Sequence, residues 1–533
     1  MKMPASRGSV DFAAHNSNNS NPGDSGTHAQ RTTQTAPLIA CFWVPAMQSF
    51  LAICACWIAT AAAVPADPFV VHESMASLRV PSGWASQGSA PREQLLELTF
   101  AIKQRNTDQL EAALMNAADP DSPNYGKWLS NEQVHALVKP TAESTSSVRG
   151  FLRKHGIQAD DATPNGDFIT ASVSVAQAEE LLQAEYHKFQ HTPSGHEMHR
   201  CLSYSLPASV AAHVDFVSPT IQLPTIRPQV GSPEDLIGGN TPDSLRKLYN
   251  VNATKGDGSK KTKQAVTAFL KQLYSPSDLT KFYKKYWPTG DVSAVKQVGD
   301  AQPGRGGIES MLDIEYNTAM GGAVATEFWG FTGTAPDNKE NEPFLKWLLV
   351  VASKSDSEVP QLFSTSYGED EDSVSWAYAS RIVTEFQKCG ARGISLLFAS
   401  GDSGAARDSG GCLHKTGPIL FNSQWPAGSP WVTGVGATEP YRPDESTPEL
   451  GGSTAESAAG LSSGGFSNRW GMASWQKEAA AAYVQELGAG PPSVSNFNQS
   501  GAGFPDISAQ GVNYAVVAGG GTMNGVAVSD LDS

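Results

Sequence analysis

The sequence predicts an α/β fold, a parallel sheet with helices on both faces, preceded by a smaller α+β module. Three observations lead there. From about residue 241 onward, short apolar strands alternate with amphipathic helices, as they do when parallel strands are joined by helical crossovers. Between residues 67 and 216, strands and short helices mix without that alternation. Residues 217–240 carry Pro219, Pro224, Pro228 and Pro233 with no clear periodicity, the composition of an extended linker that a protease could reach.

In chain order, residues 1–36 are polar and rich in Ser, Asn, Thr and Gly, so disorder is expected. Residues 37–66 are apolar and end in ATAAAVPAD, small residues of the kind a signal peptidase cuts after. Met47 opens a stretch that would serve as a signal peptide by itself, which points to translation starting there. The competing reading is a signal anchor, because the segment is long enough to span a bilayer. Export follows from either, and a membrane partner only from the second.

In the α+β module, Leu95–Ile102 reads as a strand and Thr107–Ala118 as a helix with Leu110, Leu114 and Met115 on one face. Ser130 followed by Gln133 is a capping box ahead of a helix that stops before Pro140. Val148, Phe151 and Leu152 mark another helix, Asp167–Ser174 a strand, Val175–Gln183 a helix and Tyr186–Gln190 a strand. In the second region, strands are expected at Ala265–Leu270, Ala323–Phe331, Pro360–Ser364 and Ile394–Ala399. Helices are expected at Pro276–Trp287 and Phe344–Ser353, and again where Val374, Tyr378, Ile382 and Phe386 recur every four residues. The acids Glu369–Asp372 just before that last helix read as capping groups on a solvated face.

Composition narrows the function. A length of 533 residues allows two or three domains, and a formal charge of −15 with no basic stripe argues against a nucleic-acid partner. Cys41, Cys54 and Cys56 fall in the apolar leader. Cys201, Cys389 and Cys412 remain, with no CxxC pair, so a structural zinc is not expected.

The stretch LLFASGDSGA, residues 396–405, ends a strand in a glycine-flanked turn, and GDSG invites the reading of Ser403 as a histidine-activated nucleophile. The histidines argue against it: of eleven, only His414 follows His213, and it lies in a motif-poor turn. The base of a hydrolase built here is then a carboxylate. Glu309 and Asp313 stand i, i+4 in GGIESMLDIEY and share one helical face. On spacing alone they read as two solvated acids; in a cleft they would share a proton and raise one pKa.

The segments GGIESMLDIEY, FSTSYGEDEDS, FASGDSGA, WPAGSPWVTGVGAT, SSGGFSN and FPDISA occur in the order found in the sedolisin family of serine-carboxyl peptidases. The resemblance spans about residues 75–528 and includes the α+β module, which is similar to the activation propeptide of kumamolisins. It implies a subtilisin-like α/β fold, a peptidase working at acid pH in a secreted, lysosomal or vacuolar setting, and peptide or protein substrates. It further implies that the propeptide acts as an intramolecular inhibitor. Residue by residue, it makes Glu309 the general base, Asp313 the aspartate that orients it, and Asp402 a protonated donor to the oxyanion, with Ser403 a turn residue. Removal of tripeptides from free N-termini is implied on the same ground, with endopeptidase activity left open.

The family's nucleophile sits in a late SGTSAS-type motif. Here Ser529 is followed by Asp530, Leu531, Asp532 and Ser533, and the serine's position falls at Asp532. The chain as written is therefore expected to be inactive and its sheet incomplete at the C-terminus, and the family's calcium site, expected from the resemblance, has no ligands here. Two explanations remain: an incomplete or spliced form of an acid peptidase zymogen, or a pseudopeptidase that binds peptides through the residual cleft. His187, His191, His196 and His199 cluster late in the module, and their protonation is expected to loosen its interface in acid. Asn252 and Asn498 head glycosylation sequons, in keeping with export.

Overall fold

The computed structural model describes residues 67–78, 80–193, 195–224, 240–251, 262–269, 272–288, 295–331, 343–406, 420–440, 456–488 and 492–526. The leader, the middle of the linker, His414, Cys412, Asn252 and residues 527–533 lie outside them.

The N-terminal module contains strand β1 (Leu95–Ile102), helices α1 (Thr107–Ala118), α2 (Asn131–Val138) and α3 (Ala142–Lys154), strand β2 (Phe168–Ser174), helix α4 (Val175–Leu182) and strand β3 (Val214–Ser218). Both capping boxes form: the Ser130 hydroxyl accepts from the Gln133 N–H at the start of α2, and Ser174 does the same for Gln177 at the start of α4. β1 lies between β2 and β3, antiparallel to both. Strand alternation then divides the side chains between two faces. Leu98, Phe100 and Ile102 join the module's own core, with Ile169 and Val217. Ala101, Phe168 and Phe216 face the other way. Residues 219–224 run on from β3 with Ile221 and Leu223 buried in that same module core.

The larger region holds strand β4 (Lys263–Ala268), helix α5 (Pro276–Tyr286), strand β5 (Lys296–Val298), helix α6 (Ile308–Gly321), strand β6 (Ala325–Gly330), helix α7 (Pro343–Ser353) and strand β7 (Leu362–Thr365). Helix α8 (Trp376–Ala391) and strands β8 (Ser395–Ala399), β9 (Thr433–Pro440), β10 (Glu456–Ala458) and β11 (Ile507–Gln510) follow. These eight strands form one sheet in the order β5-β6-β4-β7-β8-β9-β10, with β11 also paired to β9. All its pairings are parallel except β9 with β10. Neighbouring residues of β4 point to opposite faces. Val266 packs under α5 and α6 with Leu279, Phe282, Met311 and Ile314. Ala265 packs under α7 and α8 with Trp347, Leu348, Ile382 and Phe386. Burial on both faces is what an apolar parallel strand requires.

The module docks on α8. Phe216 lies 5.0 Å, ring to ring, from Tyr378, and the Arg381 guanidinium stands 4.3 Å over the Phe168 ring. Beside these rings is a buried charge cluster. Asp167, fully buried, meets Arg381 Nη2 at 3.2 Å and Lys388 Nζ at 3.1 Å, and Glu385 meets the same two cations at 3.3 and 2.6 Å. Burial alone would raise the Asp167 carboxyl, but Lys388 and Arg381, with Thr163 and Gln104, pull it well below the usual carboxylate range.

His187, His191 and His199 sit on two strands, Tyr186–His191 and Glu197–Cys201, of a three-stranded sheet completed by Trp84–Ser89. The histidine that crosses to the large sheet is His135 on α2. It is 4% exposed and donates from Nε2 to the Ala352 carbonyl near the end of α7, at 2.9 Å. Its Nδ1 is buried without a hydrogen-bond partner among the described residues. Burial, and next the nearby Lys388 ammonium, lower its pKa from the ordinary 6.5, against the opposing pull of the Ala352 carbonyl, Asp167 and Glu385.

Two outcomes follow from this seam. Phe216→Ala removes a buried ring from the docking face and is expected to cost about 3–5 kcal/mol in urea unfolding of the full chain. A histidine whose folded pKa is depressed gives stability that is present above its unfolded pKa and lost as pH falls towards the folded one. Protection of α2 and the end of α7 in hydrogen exchange is therefore expected to weaken below about pH 6.5, and less so in His135→Gln.

Candidate active site

Helix α6 carries two of the predicted acids, and its start is fixed from below. Gly307 caps the helix, and a Cβ there would come within 1.7 Å of the Gln272 side-chain oxygen, so any larger residue would displace that side chain. The Gly307 N–H and the Ser310 hydroxyl both donate to the Leu273 carbonyl, at 3.0 and 2.5 Å. Glu309, in the first turn, is 2% exposed. The two-solvated-acids reading of the pair is thus corrected: tertiary packing closes over Glu309. Asp313, one turn on, lines a cavity of about 270 Å³. Ser366, just past the carboxyl end of β7, donates its hydroxyl to both Asp313 carboxylate oxygens, at 3.1 and 3.2 Å.

Asp402 follows β8 and lines the same cavity, with Ser366, Ser400 and Tyr316. The turn around it is pinned. Ser400 N–H donates to Val435 O at 2.9 Å, and Gly401 adopts φ +99°, which an L side chain rarely takes. Ser463 N–H donates to Gly401 O at 2.8 Å, Ser403 N–H to the Ser463 hydroxyl at 2.9 Å, and Gly404 N–H to Leu461 O at 3.0 Å. The structure thus brings Asp313 and Asp402 to one cavity at the carboxyl ends of parallel strands, where open α/β sheets place their ligands. Among the described residues, neither Glu309, Ser403 nor any histidine forms part of its wall.

The acids after Gly368 do something other than cap a helix. Asp370 is fully buried, and its Oδ1 accepts from Asn422 Nδ2 at 2.7 Å and Gln424 Nε2 at 2.9 Å. Glu371 is 2% exposed, accepts from the Asn468 N–H at 2.8 Å, and also takes the Ser467 hydroxyl. Burial raises the Glu371 pKa, against these donors and Arg469. The cap of α8 is instead Ser375, which accepts from the Tyr378 N–H. The solvated-face reading fails because the partners lie some 50 to 100 residues away, beyond any local pattern. Ser366 was also missed; its one signal was a serine directly after a buried strand in FSTSYGEDEDS.

Among the described residues, no group of three or more His, Cys, Asp or Glu side chains could hold a metal ion, and no helix is long and apolar enough to cross a membrane. Cys201 and Cys389 are free and buried, and burial pushes each thiol up to about 12.

Residues 82–223 match the family described as the Pro-kumamolisin activation domain. Tripeptidyl-peptidase 1 of Mus musculus is 38% identical over 450 residues, 82% of this chain and 77% of that protein. Tripeptidyl-peptidase 1 of Homo sapiens is 37% identical over 451 residues, with the same two coverages. A solved Pseudomonas sedolisin, a serine-carboxyl proteinase complexed with two molecules of pseudo-iodotyrostatin, aligns over 55% of this chain and 77% of that one, at 17% identity and a TM-score of 0.40. By the identity and coverage of these sequence relatives, the chain belongs to the sedolisin family of serine-carboxyl peptidases, a serine-type peptidase zymogen with its activation domain at residues 82–223.

Proposed function

We propose that this zymogen matures to an acid peptidase of the tripeptidyl-peptidase type, exported or delivered to an acidic compartment, with Glu309, Asp313 and Asp402 as its catalytic carboxyls. The observation that carries this reading is the single cavity that holds Asp313 and Asp402 with no histidine in its described wall. In this reading Glu309 takes the proton from a serine nucleophile, Asp313 orients Glu309 and shares its proton, and Asp402 in its neutral form donates a hydrogen bond to the tetrahedral oxyanion. A carboxyl that must donate works only where it is protonated, which makes low pH a requirement of the chemistry. Ser403 stays a turn residue, its N–H already committed to Ser463. The N-terminal module, docked on α8, is the intramolecular inhibitor.

The aspartate at position 532, where the family's nucleophile falls, supports a second reading for the polypeptide of residues 1–533: a non-catalytic protein that binds peptides in the residual cleft. Sequencing the transcript across codon 529 and assaying both products separates the two. The polypeptide of residues 1–533 is expected to show no turnover of an N-terminally free tripeptide substrate at acid pH. A product in which a GTSAS reading follows Ser529 is expected to turn it over, with a loss of about 10²- to 10³-fold in Asp402→Ala. Turnover by residues 1–533 that Glu309→Ala abolishes would contradict the inactivity, and activity of the longer product that survives both substitutions would contradict the site.

A further inference from the structure

We infer that Ser366 is a positioning residue that acts through Asp313: its hydroxyl faces both oxygens of that carboxylate and favours its ionised form. The inference rests on the catalytic role proposed for Asp313. Its basis is a contact between two elements that share no local sequence. Asp313 belongs to α6 and Ser366 follows β7, and the hydroxyl reaches both carboxylate oxygens at nearly equal distance, 3.1 and 3.2 Å. One O–H proton offered midway between two oxygens lies near the bisector of the carboxylate. That line is also the axis about which the carboxylate turns, so the contact persists in every rotamer of the group and acts on its charge rather than on its plane. A donor hydroxyl also stabilises negative charge on the group it faces.

Both partners are held rigidly. Ser366 is 9% exposed, and its two chain neighbours are anchored: Thr365 shares a 2.8 Å hydroxyl contact with Thr267 on β4, and the Tyr367 hydroxyl donates to Phe269 O at 3.0 Å. The Asp313 helix is tied to Leu273 O through Gly307 and Ser310. Serine has few torsions to order, so the bond forms at little entropic cost. Ser366 and Asp313 line the cavity that also holds Asp402, so the carboxylate whose charge Ser366 favours stands where a reacting group would. In the sequence of catalysis, the ionised Asp313 would keep Glu309 basic, and Ser366 would act on the reaction only through Asp313.

The test uses the full 533-residue chain and needs no turnover. Carboxyl ¹³C NMR of aspartate-labelled protein, with the Asp313 signal assigned through Asp313→Asn, gives the titration midpoint of that group. In Ser366→Ala the midpoint is expected to rise by about one pH unit, the effect of one hydrogen bond lost from a carboxylate. Ser366→Thr, which keeps the hydroxyl, is expected to restore it. An unchanged midpoint in a folded alanine variant overturns the inference, as does a rise that threonine fails to reverse, which marks a packing effect. Should the alanine variant unfold, Ser366→Cys, with a weak donor of similar size, is expected to show the same rise, and no rise in it overturns the inference. Failure of the peptidase reading is seen separately, as absent turnover in the longer product with the titration shift intact.

Discussion

Four charges taken out of water together fix how the two parts of this molecule meet. Asp167 from the module and Arg381, Glu385 and Lys388 from α8 have side chains no more than 5% exposed. Removing each from solvent costs several kcal/mol, and the cluster is tolerable only because every charge faces an opposite one at hydrogen-bond distance. Burial would lower the Lys388 ammonium, yet Asp167 and Glu385 hold it above its ordinary value. Such a cluster adds little net stability over an apolar seam, but any other docking register would strand a bare charge. The aromatic face of Phe168 and Phe216 supplies the attraction, and the ions supply the register. Because Asp167 stays ionised deep into the acid range, sensitivity of the seam to acid falls to neighbours such as His135.

The same helix links the docking seam to the cavity. α8 leads into β8, and β8 ends at the Gly401 turn that presents Asp402 to the cavity. On the opposite face, α6 brings Asp313 to the cavity from its second turn, with Glu309 packed one turn earlier. A parallel sheet gathers its strand ends on one side, so residues remote in sequence converge there. The hydrogen bond from Ser366 to Asp313 and that from the Ser403 N–H to Ser463 then hold what the sheet has gathered.

Much of this was legible in the chain. Alternating apolar strands and amphipathic helices predicted the sheet and its crossovers, because each strand buried on both faces leaves an apolar run that nothing else explains. Thr107–Ala118 and the capping box at Ser130 came through with their bounds, since both rest on local chemistry. The i, i+4 spacing put Glu309 and Asp313 on one helical face, but whether that face was wet depended on packing that spacing does not encode. The EDED run was misread for the same reason: its partners Asn422, Gln424 and Ser467 arrive from other elements. The late histidine cluster stands out in sequence by its density, whereas His135, unremarkable in sequence, is buried and donates across to the Ala352 carbonyl near the end of α7.

A double-mutant cycle on Asp167→Asn and Lys388→Met, followed by urea unfolding of the full chain at neutral pH, tests the dependence of docking on the ion cluster most directly. Each single change leaves an uncompensated buried charge and is predicted to cost about 3–5 kcal/mol, while the double change removes both charges of the pair and costs clearly less than the sum. Additive losses, or single losses within the ~0.5 kcal/mol expected of surface substitutions, would contradict the account.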